Sequence, residues 1–144
     1  MSETKPERNA DARTYAGGCH SGAVRYEVEL DLGEGVSRCN CSICTKISTS
    51  SIMVKPSAFK LVSGEDSLID YRRGENPTHF RFCKVCGIHA FAHGHLEEVG
   101  GDYVSINVNS LDDVDLTGVK FIYWDGRHNN WDAGPRGEPW PVRP

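Results

Sequence analysis

The sequence predicts an all-β fold of small antiparallel sheets whose loops carry zinc-binding cysteines. Three observations predict it. Short apolar runs alternate with polar residues at a period of two, helix signals are scarce, and the six cysteines fall in three tight groups. Cys19 follows Gly17-Gly18, Cys39, Cys41 and Cys44 form a C-x-C-x-x-C run, and Cys83 and Cys86 form a C-x-x-C pair before Gly87. Thiolates gathered two or three at a time on turns are what zinc, a soft ion that takes tetrahedral geometry, requires.

The elements follow in order. Residues 1–14 are polar and charged with little to bury, so they read as a disordered leader, and they lack the apolar core of an export signal. The domain is expected over residues 15–133. Val24, Tyr26 and Val28 alternate with Arg25, Glu27 and Glu29, a half-buried strand. Residues 51–54 and 59–62 read as two more strands, broken by Lys55-Pro56-Ser57. Residues 68–72 and 79–82 flank the turn-rich Gly74-Glu75-Asn76-Pro77, which suits a hairpin-like link. Val104, Ile106 and Val108 alternate with Ser105, Asn107 and Asn109. Residues 119–124 are strongly β-prone, and Asp125-Gly126 behind them predicts a hairpin that returns through residues 127–131 and brings Trp124 and Trp131 together. Only residues 111–114 and 45–49 promise a helical turn. Residues 134–144, with Pro135, Pro139, Pro141 and Pro144, read as an irregular Pro-rich tail.

Composition narrows the function classes. A chain of 144 residues suits one domain that buries its own core. Net charge is −4 and the lysines and arginines are dispersed, which argues against nucleic acid as a partner. No apolar stretch reaches the roughly 20 residues of a membrane span, and a soluble, cytoplasmic protein is expected. In a reducing compartment clustered cysteines read as metal ligands before disulfides, and a C-x-C pair closes only a small, strained disulfide ring.

The cysteine arithmetic leaves two arrangements open. Six thiols exceed the four of one closed zinc site and fall short of two such sites, so something is incomplete. Cys41 and Cys44 with Cys83 and Cys86 would make a purely structural ribbon. Alternatively Cys39, Cys41 and Cys44 form a three-thiolate site with an open position, and Cys19 joins Cys83 and Cys86. An open position is what makes a zinc catalytic.

Four segments carry a family resemblance: Gly17-Gly18-Cys19-His20-Ser21-Gly22-Ala23-Val24-Arg25-Tyr26-Glu27, Arg38-Cys39-Asn40-Cys41-Ser42-Ile43-Cys44, Phe82-Cys83-Lys84-Val85-Cys86-Gly87 and Asp125-Gly126-Arg127-His128-Asn129-Asn130-Trp131. In order and spacing they resemble the glutathione-dependent formaldehyde-activating enzyme family. The resemblance implies an all-β Mss4-like fold, two zinc sites, of which this chain is expected to fill one or two, and carbon–sulfur lyase activity on S-hydroxymethylglutathione. It implies that Cys39, Cys41 and Cys44 are the catalytic zinc ligands and that Cys19, Cys83 and Cys86 are three of four structural ones. The chain departs from the family pattern at Ser21, where a second cysteine is usual. The fourth position is left open between Ser21, a water, another side chain such as His89, and an empty site; His20, next to Cys19, faces the other way in an extended chain.

An open three-thiolate zinc would bind a small thiol or thiol adduct, lower its pKa and hold it beside an aldehyde. A glutathione-type substrate needs cationic anchors, for which Arg25, Arg38, Lys46, Arg72, Arg73 and Arg127 compete with their ordinary role as solvated charges. His93 and His95 share a face if extended, as a metal or acid–base pair or as plain surface histidines. Residues 127–131 either line a cleft or plug the core through Trp131. The rival functions are a non-catalytic zinc module and a redox dithiol at Cys83 and Cys86.

Overall fold

In the structure, a computed structural model that describes residues 12–143, ten strands form two sheets. The smaller sheet runs β1 (Arg13–Gly18), β2 (Arg25–Leu30), β5 (Phe59–Ser63) and is antiparallel throughout. The larger has seven strands in the order β10 (Phe121–Trp124), β3 (Val36–Cys39), β4 (Ser51–Val54), β9 (Gly101–Asn107), β8 (His89–Leu96), β7 (His79–Cys83), β6 (Leu68–Arg72). One pair in it is parallel: β10 lies on β3 with Trp124 opposite Cys39. The fold is all-β, with a single short helix, α1 (Ser42–Ile47), among the described residues.

Alternation on β2 turns Tyr26, Val28 and Leu30 inward, where they meet Val36, Phe91, Val104 and Ile106 of the larger sheet. Full burial of each such side chain contributes about 1.5–3 kcal/mol. Tyr26, Phe59 and Phe91 form an aromatic knot with ring centroids 4.8–6.3 Å apart. The Tyr26 hydroxyl pairs with Ser110 Oγ at 2.5 Å, and burial pushes its pKa up to about 12. Gly17 is obligatory beside it: a Cβ there would lie 2.7 Å from the Tyr26 ring. That close approach sets where the chain enters the Cys19 turn.

Several expectations change in detail. The segment after Asp125-Gly126 is not a returning strand. β10 has β3 as its partner, and the chain instead coils through a loop that ends in a 3-10 turn, Trp131–Ala133. Trp124 and Trp131 are nonetheless neighbours, with centroids 6.1 Å apart. Residues 111–114 form no helix, because Leu111 bridges Gly17 and the Asp112 N–H donates to the Ala16 carbonyl. The helix begins earlier than expected, at Ser42, and stops at Ser48, whose φ of 53° is left-handed. The larger sheet is also not small, and it holds one parallel pair.

At the amino end, residues 1–11 lie outside the described residues, and Arg13 and Thr14 already belong to β1. Among the described residues of the tail no helix or strand follows Ala133, but the segment is pinned. Arg136 exchanges two backbone hydrogen bonds with Tyr123, and the Trp140 indole donates to the Tyr123 carbonyl. No helix of the described residues is long and apolar enough to cross a membrane.

Candidate metal centres

All six cysteines are free thiols, and the fold sorts them into two clusters. Within each, the sulfurs of Cys19, Cys83 and Cys86, or of Cys39, Cys41 and Cys44, lie within 4.8 Å of one another. The ribbon combining Cys41 and Cys44 with Cys83 and Cys86 is therefore not formed.

The first cluster joins two turns. Cys19 leaves β1 and its turn closes through Cys19 N–H to the Val24 carbonyl, 3.1 Å, while the Val24 N–H donates to Cys19 Sγ at 3.2 Å. Cys83 ends β7, and its turn closes through Gly87 N–H to the Cys83 carbonyl at 2.7 Å, with the Val85 N–H donating to Cys83 Sγ at 3.3 Å. Gly87 adopts φ 80°, a conformation that favours glycine, and so brings Cys86 back toward Cys83. Cys19 and Cys83 are buried against Val24. Ser21 completes the group, its Oγ 3.3 Å from Cys19 Sγ and 3.7 Å from Cys83 Sγ. Burial works against ionisation of Cys19, but hydrogen bonds from Ser21 and Val24 outweigh it and lower the pKa. Cys86 is lowered to about 6 by the Ile88 and Ser21 backbone N–H groups.

The second cluster sits where β3 becomes α1. Cys39 is the last residue of β3, Cys41 is the N-cap of α1, and Cys44 lies in the first turn, which the Thr45 N–H to Cys41 carbonyl bond closes at 2.9 Å. The Cys41 N–H donates to Cys39 Sγ at 3.4 Å. Without metal the three share their protons unequally. Hydrogen bonds from Cys39 and Cys44, with Arg73 adding its charge, hold Cys41 far below the thiol range, and the resulting anion pushes Cys39 and Cys44 up.

A loop covers this cluster. Buried Asp125 accepts from Asn40 Nδ2 at 2.8 Å, sits 2.7 Å from His128 Nδ1, and is lowered by those bonds against the burial that would raise it. The Arg127 N–H donates to Asn40 Oδ1, and its guanidinium to the Asn40 carbonyl. Asn40, between two cysteines, thus ties the cluster to residues 125–127. Gly126 has no room for a side chain: a Cβ would lie 2.6 Å from Cys39 Sγ and 2.8 Å from the Trp131 ring. Trp131 itself is half exposed, so it does not plug the core.

The remaining expected residues separate cleanly. His89 is buried between Phe80 and Phe82 and donates through Nδ1 to the Arg81 carbonyl, so it is not a metal-cluster member; burial lowers its pKa to about 4. His20 is exposed and joins no cluster. Arg25 pairs with Asp112, Arg38 with Ser50 and Ser48, and Arg72 with the Asn76 carbonyl. Arg73 differs: its guanidinium lies 6.0 Å over the Phe80 ring and its buried Nε has no hydrogen-bond partner. His93 contacts Arg81 and stacks on His79, and His95 binds Asp102 and Glu97; both line an open pocket of about 460 Å³ without forming a metal group. Ser21 was one of the candidates for the fourth position, whereas Gly126 and Asn40 were not expected to organise a site from spacing alone, because each acts across the fold.

The dimensions suit a tetrahedral ion. With Zn–S near 2.3 Å, neighbouring sulfurs of a tetrahedron stand about 3.8 Å apart, a spacing the clusters reach with small side-chain shifts. Soft sulfur donors select zinc over harder divalent ions.

Comparison with known proteins agrees with this geometry. The family model described as "Glutathione-dependent formaldehyde-activating enzyme" matches residues 14–125; residues 126–131 lie beyond the match. A crystal structure of a Rhodobacter sphaeroides protein superposes with a TM-score of 0.66 at 28% identity, covering 76% of this chain and 98% of that one. The match takes in every cysteine and most of the chain, and the protein belongs to the glutathione-dependent formaldehyde-activating enzyme family.

Proposed function

We propose that this protein is a zinc-dependent carbon–sulfur lyase acting on a glutathione-type thiol adduct such as S-hydroxymethylglutathione. The observation that carries the reading is that Cys39, Cys41 and Cys44 converge with no fourth His, Cys, Asp or Glu donor among the described residues. Bound there, zinc would supply a Lewis acid that lowers the pKa of an incoming thiol and leaves its sulfur nucleophilic.

The chain's own residues set up the rest. Cys39, Cys41 and Cys44 hold the ion and Asn40 fixes their loop against Asp125. Gly126 lets the 125–131 loop close over Cys39, and the half-exposed Trp131 forms an apolar wall beside it. Arg73, with charge felt at Cys41 and an unpartnered Nε, anchors a carboxylate of the thiol. In the forward direction the thiol sulfur attacks the aldehyde carbon, the new C–S bond forms, and the carbonyl oxygen takes up a proton. The reverse breaks that bond and returns thiol and aldehyde.

Cys44→Ser tests the reading. With its circular dichroism unchanged, the variant should lose at least 100-fold in the rate of S-hydroxymethylglutathione formation followed by NMR. A folded Cys44→Ser protein with full activity would overturn it.

A further inference from the structure

The first cluster holds three thiols and one neutral oxygen, and the residue that carries the oxygen, Ser21, is exposed. We propose that Cys19, Cys83, Cys86 and Ser21 form a zinc site whose fourth position, the Ser21 corner, exchanges with an external aliphatic thiolate. The cluster is then a second thiol-binding site on the chain, and it stands independently of the lyase reading.

Geometry places Ser21 at the corner. For Zn–S near 2.3 Å and Zn–O near 2.1 Å, a tetrahedral S···O edge is about 3.6 Å. Ser21 Oγ lies 3.3 Å from Cys19 Sγ and 3.7 Å from Cys83 Sγ, bracketing that value. Among the described residues no further His, Cys, Asp or Glu joins the cluster, and His89 is committed to the Arg81 carbonyl.

Chemistry makes the corner exchangeable. A neutral hydroxyl is a far weaker zinc donor than a thiolate, and serine is absent from the usual ligand set. Two of the three sulfurs have a second partner besides it: the Val24 and Val85 N–H groups donate to Cys19 and Cys83, which are buried. Exposure then decides access. Ser21 is exposed, and a Cβ added at the following Gly22 would meet nothing within 4 Å, so a ligand reaches the corner from solvent. An arriving thiol gives its proton to solvent, its sulfur takes the corner, and the Ser21 hydroxyl withdraws uncharged. The site becomes a four-thiolate one, the commonest closed arrangement, and nothing is oxidised or reduced.

The test uses the full-length protein loaded with cobalt(II), whose sulfur-to-metal charge-transfer absorption counts bound thiolates. Titration with 2-mercaptoethanol should raise that band, and Ser21→Cys, which closes the corner, should remove one thiolate's worth of the rise. The subtraction is the same whether or not the other cluster binds thiol, so failure of the lyase reading leaves it intact. In a parallel measurement, release of zinc from this cluster to a chromogenic chelator should slow at least ten-fold in Ser21→Cys. A thiol-dependent rise equal in both proteins, unchanged release rates, or native mass spectra in which Ser21→Cys gains a second metal that the parent never holds would overturn the proposal.

Discussion

Two clusters of three cysteines stand on different supports. Cys19 and Cys83 are rooted in turns that leave β1 and β7, are buried, and receive backbone N–H groups at their sulfurs. Cys39, Cys41 and Cys44 sit at a strand-to-helix junction, only partly buried, under a loop supplied by the last strand. The difference separates rigidity from reactivity. The first cluster is firm because the sheets hold it, whereas the second is shaped by residues that arrive from elsewhere in the chain. What stands beside the three thiols is a separate property: Ser21 at the first, and at the second no further His, Cys, Asp or Glu among the described residues.

Removing a thiol should break the two clusters unequally. Cys83→Ser takes a thiol from a fully buried position and should lower stability by about 4 kcal/mol, or roughly 10 °C in Tm by calorimetry. Cys41→Ser, at a partly buried helix cap, should cost about 1 kcal/mol while abolishing thiol chemistry at its own centre. Equal losses would mean that both clusters are equally structural.

Acid should weaken the fold through buried His89. The folded pKa of His89, about 4, lies below its unfolded value near 6.5, so between these values the unfolded chain binds more protons. Stability from this group is full above pH 6.5 and falls as pH drops toward 4, by about 3 kcal/mol. In urea titrations the stability difference between the parent and His89→Phe should change over that window and be constant above it. The second cluster has its own sensitive point. Gly126→Ala forces a carbon against Cys39 Sγ and should cost about 2 kcal/mol, while KM for a thiol adduct rises about ten-fold, measured by stopped-flow. The smallest effect is electrostatic. Arg73→Met should raise KM about ten-fold for a glutathione adduct, about 1.4 kcal/mol, yet leave KM for the 2-mercaptoethanol adduct unchanged. An equal rise for both would remove Arg73 as a carboxylate anchor.

Much of this was legible in the residues, and the gaps have physical causes. β2, β4, β5, β6, β7 and β9 announce themselves through alternation or β-branched runs. β8 does not, because His89-Ala90-Phe91-Ala92 is buried on both faces and so shows no period of two. The partner of β10 is not readable locally: Asp125-Gly126 has the turn chemistry of a hairpin, while the actual partner, β3, lies far earlier in the chain. At the sites, cysteine spacing within each run was readable, but the choice between a ribbon and two clusters was not, since it depends on which turns the sheets bring together. Ser21 stood out as a departure from the family pattern. That its hydroxyl fills a corner, and that Gly126 touches Cys39, are facts of packing that no local spacing encodes.

The parallel seat of β10 on β3 also orders events during synthesis. Every cysteine precedes residue 87, whereas the cover over Cys39 comes from residues 125–131. Synthesis therefore completes all six thiols before it reaches the strand and loop that roof the second cluster, so the cover over Cys39 forms only after the cysteines beneath it are made.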